Sequence, residues 1–346
     1  MNVILGALIA VIGGVTNGLF ALPMKMARKW SWENIWLPFS VLALAVFPCV
    51  AACLSTPHLE AAYRHAEPSN LLIAFLCGIA AYTGSLLFGI SLGLIGNALA
   101  FSLLVGSMSA VGVLSPILAF HPGMLLTPGG RWIDLGILLL FAALAVCARA
   151  GAQKVRVTAE RLPQGSGDGL DVFIRGMLLA VAGGVLSGFL PLGMSMAWAR
   201  NISGAAVQFG GAGQTAAQNV LLLPILIGGA LPNCLYAAWL LNKNKTYRSY
   251  KGPGWYWLII LLMAVMYSGS VALWGMSSSR GMLGTLGPSI GWALFIGGLV
   301  VSSNVGGVAT GEWRGTGSKP LAWMVGGVSL MVVAVVLVGY GNYLLN

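Results

Sequence analysis

The chain has 346 residues and a net charge of +10, yet only 8% of its residues are charged and 58% are hydrophobic. A soluble domain carries roughly 25% charge, so this chain has too little polar surface for a water-soluble body, and its solvent is lipid. The positive residues are scattered through short gaps between apolar runs rather than gathered on one domain, which excludes a nucleic-acid-binding surface.

A helix needs about 20 apolar residues to cross a bilayer. Ten runs qualify: 3–24, 34–54, 70–94, 97–120, 131–150, 173–198, 214–240, 254–276, 281–304 and 320–343. The first has no Lys or Arg ahead of it, so it reads as a retained spanning helix rather than a secretory signal. Trp30, Trp32, Trp36, Trp132, Trp255, Trp257 and Trp323 fall at run ends, as an interfacial aromatic belt would. Of the 18 Lys and Arg residues, 14 lie in the gaps after the odd-numbered runs, and only Arg64, Arg131, Arg200 and Arg280 lie in the others. Positive loops stay in the cytoplasm, so both termini are expected on the periplasmic side of a bacterial inner membrane. The longest connection carries Lys154, Arg156, Glu160, Arg161, Asp168 and Asp171. It reads as a cytoplasmic linker, 151–172, between a first five-helix repeat (1–150) and a second (173–346).

The two halves resemble each other. Residues 13–27, GGVTNGLFALPMKMA, match 183–197, GGVLSGFLPLGMSMA, at eight of fifteen positions. Each copy holds a GxxxG pair, Gly14–Gly18 and Gly184–Gly188, suited to close helix crossing. Tyr82-Thr83-Gly84-Ser85 is echoed by Tyr267-Ser268-Gly269-Ser270, and more weakly Leu104, Val105 and Ser107 by Leu299, Val300 and Ser302. An odd number of helices per half makes the second half enter from the opposite side. The expected fold class is therefore an all-α membrane protein of ten helices arranged as a five-plus-five inverted repeat, an architecture that secondary transporters use.

Two segments carry a resemblance. Lys29-Trp30-Ser31-Trp32-Glu33-Asn34 resembles the signature of the L-rhamnose–proton symporter family, and Glu312-Trp313-Arg314 with Gly317 and Pro320 resembles its second landmark. That family belongs to the drug/metabolite transporter superfamily. The resemblance implies the same ten-helix fold and uptake of L-rhamnose or a related deoxyhexose, with a proton as the coupling ion.

A neutral sugar needs uncharged donors and acceptors and an aromatic platform. Polar groups deep in lipid mark binding sites or helix contacts. Tyr82 with Ser85, and Tyr267 with Ser270, are each three residues apart and share a helix face; the repeat allows them to face each other at the midplane. Asn17 and Ser187 are equivalent positions on the first and sixth helices, and Trp292 lies mid-helix, away from the belt. These seven are the candidate substrate-binding residues, with interhelical bonding or core packing as the alternative for each. Gln214, Gln218 and Asn219 read as interfacial. Lys25, Glu33 and Glu312 read as a cytoplasmic gate, with Glu33 paired to Lys25, Arg28 or Lys29, and Lys25 to Glu312.

None of the eight acids lies mid-span, and His58, His65 and His121 sit in exterior loops. Glu33 and Asp134, at helix ends, come closest to a titrating group. The residues alone thus leave H+, Na+ or no coupling ion open. Clustered His, Asp or Cys for enzyme chemistry are absent, and the five cysteines have no CxxC spacing, so no metal, cofactor or obligate protein partner is expected. The reading is a secondary transporter importing a neutral monosaccharide by alternating access, against an exporter or an uncoupled facilitator of the same superfamily.

Overall fold

The computed structural model describes residues 2–95, 97–159, 169–311 and 313–345. Ten of its helices are long and apolar enough to cross a membrane. We number them α1 (Val3–Met26), α2 (Trp32–Ser55), α3 (Pro68–Ile95), α4 (Leu103–Phe120), α5 (Pro128–Gln153), α6 (Asp171–Met194), α7 (Ala217–Asn244), α8 (Tyr256–Ser277), α9 (Gly287–Ala309) and α10 (Ser318–Leu345). The protein is an all-α, multi-pass membrane protein.

Most span ends fall within a few residues of the expected ones. The largest departures have local causes. The sixth span stops at Met194, because the chain turns at Ser195 and Met196 into a separate amphipathic helix, Ala197–Gln208, that buries Trp198, Ala199 and Ile202. The ninth starts at Gly287, not 281, because Gly284 takes a left-handed φ of 80° and Pro288 then opens the helix. Trp30 also departs from the expected belt: it is buried, edge-on against Tyr250, Tyr256 and Trp257.

Both termini lie on one face. The Asn2 amide donates to Gly281 O, between α8 and α9, and Leu345 packs beside Gly129 at the start of α5. The basic connections, including Lys25, Arg28, Lys29, Lys243, Arg248 and Arg314, lie on the other face.

Helices α7 and α9 are the innermost, each buried over more than half its apolar length. The principal helix contacts are α5 with α10, α3 with α6, α1 with α8, α1 with α9, α4 with α6, α2 with α7, α3 with α7, and α2 with α8. Exchanging α1–α5 for α6–α10 leaves this set unchanged. Glycine permits the tightest crossings. A Cβ at Gly14 would overlap the Phe295 carbonyl, and one at Gly184 the Leu104 carbonyl. These contacts match Leu104 with Phe295, one turn away from the Leu299 of the sequence echo. A four-residue slip keeps the same helix face, so an apolar pattern alone does not reveal it.

Helices α2 and α4 each contain a π turn, Leu42–Val46 and Ala110–Leu114, followed closely by Pro48 and Pro116. A proline lacks the N–H that would continue the α ladder, and the helix widens to accommodate it. Ser268 Oγ on α8 donates to Ala43 O inside the first π turn at 2.5 Å.

Gly14→Leu should lower the thermal midpoint of the detergent-purified protein, at an overpacking cost of about 1–3 kcal/mol. Gly89→Ala, where an added Cβ meets nothing within 4 Å, should leave it unchanged. Equal melting of the two variants would show that the α1–α9 crossing is not tight.

Candidate functional site

On the termini face a polar vestibule of about 400 Å³ opens between the amphipathic helix, the start of α7 and the α8–α9 connection. Arg200, Gln214, Gln218, Ser278, Arg280 and Thr285 line it. Gln214 and Gln218, expected at the membrane edge, are thus cavity-wall groups; Asn219 instead donates to Ser55 Oγ at 3.2 Å. Nearby, Tyr63 ties the α2–α3 connection to α7 by donating to Val220 O at 2.8 Å. Burial, foremost, pushes its hydroxyl pKa well above the ordinary tyrosine value, so it stays a neutral donor. A second cavity of about 210 Å³ between α2, α7 and α8 is mostly apolar, with Asn219 and Ser268 the polar side chains in its wall.

Deeper, the structure brings four of the seven candidate binding residues together. Tyr267 Oη donates to Tyr82 Oη at 2.9 Å, joining α8 to α3. Asn17 Nδ2 on α1 donates to Ser270 Oγ at 2.8 Å, and that hydroxyl donates on to Tyr267 O at 2.6 Å. Phe20 and Phe39 pack edge-on against the Tyr267 ring, with centroids at 5.1 and 5.6 Å. The tyrosines therefore touch each other directly. Ser85 turns back onto its own helix, donating to Tyr82 O at 2.7 Å. Ser187 donates to Ala81 O at 3.2 Å and so joins α6 to α3. Trp292 stands apart from this cluster, stacked on Phe295 and edge-on to Trp274.

On the basic face, the start of α2 bonds to the end of α7 and the α7–α8 connection. Glu33 is buried and accepts from Asn244 Nδ2 at 3.0 Å and Thr246 Oγ1 at 2.8 Å. Asn34 Nδ2 donates to Thr246 O at 2.9 Å. Among the described residues Glu33 forms no ion pair, contrary to the expected partnership with Lys25, Arg28 or Lys29. The physical reason is its position in the first turn of α2. There the exposed N–H groups and helix dipole already favour a carboxylate, and neutral donors from the other half complete its shell. Lys25 Nζ donates to Thr310 Oγ1 at 3.1 Å, while Glu312 lies outside the described residues. Asp134 lies near the start of α5, half-buried on the termini face. Among the described residues no group of three His, Cys, Asp or Glu could hold a metal.

The model of the L-rhamnose-proton symport protein family (RhaT) matches residues 1–343. The chain belongs to that family. It is therefore a transporter and not an enzyme. It is similar to the L-rhamnose-proton symporter of Cronobacter sakazakii, at 27% identity over 97% of both chains. It is also similar to those of Citrobacter koseri and Shigella flexneri, each at 25% identity over 96% of both chains. A crystal structure at 16% identity superposes with a TM-score of 0.56 over 96% of this chain and 95% of that one, which shows a shared fold.

Glu33→Ala would strip Asn244 and Thr246 of a charged acceptor, a loss of about 1.5–3 kcal/mol. We expect a lower thermal midpoint than for Glu60→Ala, whose exposed ion pair with Arg64 contributes little. Identical melting of the two variants would remove Glu33 as a latch.

Proposed function

We propose that this chain imports L-rhamnose or a related deoxyhexose together with a proton, by alternating access across a five-plus-five inverted repeat. The observation that carries the reading is the Tyr82–Tyr267 hydrogen bond. It joins positions that echo each other in the sequence, which supports a site between the repeats, where such transporters bind substrate. The exchange of helix contacts between halves supports the same symmetry.

Around that bond the groups are neutral, and each is now satisfied by another protein group. Asn17, Tyr82, Tyr267 and Ser270 would trade these bonds for sugar hydroxyls. Each intramolecular hydrogen bond is worth only about 0.5–1.5 kcal/mol net, so opening the cluster costs little and the sugar repays it bond for bond. Ser85 and Ser187 flank the tyrosines on α3 and α6. Trp292 offers an indole face for the apolar side of the ring.

The vestibule is open on the termini face and the Glu33 latch is closed on the basic face. With the termini periplasmic, as the loop charges favour, this is an outward-facing arrangement, and Lys25, Glu33 and Glu312 belong to the inner gate. The names of the relatives carry a proton and none carries sodium. Glu33 and Asp134 are the acids closest to the path and the ones to examine for coupling.

In a thermal-shift panel of monosaccharides, L-rhamnose should stabilise the purified protein, and Tyr267→Phe should weaken that binding about threefold to tenfold, the worth of one neutral hydrogen bond. Unchanged affinity in both Tyr82→Phe and Tyr267→Phe would remove the central cluster as the site. In proteoliposomes, L-rhamnose uptake should rise with an inwardly directed proton gradient and fall when a protonophore collapses it. Uptake indifferent to that gradient would leave an uncoupled facilitator.

A further inference from the structure

Between the vestibule and the tyrosine pair lie two buried indole N–H groups, Trp274 Nε1 and Trp292 Nε1, without hydrogen-bond partners. Trp274 is 0% and Trp292 6% exposed. Their rings meet edge to face, with centroids 4.8 Å apart. An indole N–H bonds to water in the open and usually finds a partner when buried; here two neighbouring donors have none.

Their position gives the vacancy a meaning. Residues four apart share a helix face. Trp274 therefore sits one turn below Ser278, which lines the vestibule, and one turn above Ser270, which is bonded to Asn17. Likewise Trp292 lies one turn below Pro288, also in the vestibule wall. On α8, Trp274 thus stands between a vestibule residue and a residue of the central cluster, with Trp292 packed against it. Beside Trp292 is Gly112, in the π turn of α4. A Cβ at that position would come to 3.0 Å from Trp292 Nε1, so the glycine keeps a methyl group off the N–H edge.

We propose that Trp274 and Trp292 are the outer gate of the transport path and the sugar's first binding contact beneath the vestibule, each donating its indole N–H to a hydroxyl or ring oxygen of a pyranose. The chemistry selects a neutral ligand rich in acceptors. Two donors repel a cation, and Arg200 and Arg280, which line the vestibule above, also disfavour one. The indole faces meanwhile suit the apolar C–H side of a deoxy sugar. When the sugar takes up both donors, the edge-to-face contact has to part, which opens the way to Ser270 and the tyrosines. The inference deepens the sugar-transport reading and rests on it.

The test is L-rhamnose binding to detergent-purified protein, measured by titration calorimetry and by the change in tryptophan emission. Trp274→Phe and Trp292→Phe keep a ring but remove the N–H. Each should weaken L-rhamnose binding about threefold to tenfold, the worth of one hydrogen bond, and the double variant should lose the emission change. If Trp274→Phe does not fold, benzothienylalanine at position 274 preserves the bicyclic shape with sulfur in place of N–H and should show the same weakening. Variants that fold and bind L-rhamnose as the parent does, whatever their thermal midpoint, would show a packing role only and overturn the gate. If the parent itself binds neither L-rhamnose nor any other monosaccharide of the panel, the substrate reading falls and this inference falls with it.

Discussion

Hydrocarbon offers no hydrogen bonds, so every polar side chain inside the bundle has to be satisfied by protein or by cargo. That constraint orders the interior of this transporter. Tyr267 finds Tyr82, Asn17 finds Ser270, Ser187 finds a carbonyl of α3, and Ser268 finds the carbonyl that a π turn exposes on α2. All four bonds link different helices, and all four join one of the first five helices to one of the last five. The same groups that hold the closed bundle together are those a polyhydroxylated ligand can replace.

The two ends of the molecule are built differently. On the basic face a carboxylate, two amides and a threonine form a polar latch beside packed aromatic rings, Trp30 among them. On the termini face the polar groups line open space, and an aromatic pair, Trp274 and Trp292, lies deeper. A latch of charged and neutral hydrogen bonds resists local opening more than an aromatic contact whose own donors are unmet. The difference fits a molecule at rest with its vestibule ready to receive.

Much of this was legible in the residues. Spanning helices announce themselves by length and hydropathy, because lipid imposes one length on all of them, and all ten were read. The matched Tyr-x-Gly-Ser segments pointed to residues that meet in space. Partnerships across long sequence separations were not legible. Glu33 has three cations within eight residues, yet its bonds reach Asn244 and Thr246, more than 200 positions away. Trp274 carried no signal, since a tryptophan in an apolar run looks like packing; only its neighbours reveal that its N–H is unmet. The vestibule was hidden because two separate breaks create it, one after Met194 and one before Gly287. Two amides four residues apart, Gln214 and Gln218, are the sequence feature that marks its wall.

The π turns of α2 and α4 have a bearing on how a straight apolar run keeps its inner face. On α2 the buried positions Ser40, Leu44, Pro48 and Ala52 keep a spacing of four straight through the π turn. Steps of four overshoot a 3.6-residue turn by about 40° each, so on an uninterrupted helix this stripe would wind away from the bundle. The π turn, closing on the fifth residue, absorbs the surplus and resets the phase. On α4 the buried stripe Val105, Ser109, Val113 and Ile117 runs through its π turn in the same way. Each wide turn is thus a phase correction. An α2 shortened by one residue between Leu42 and Val46 would lose the wide turn and close as an ordinary α-helix with Pro48 and Ala52 still on the core face, because one extra residue is what the π turn accommodates.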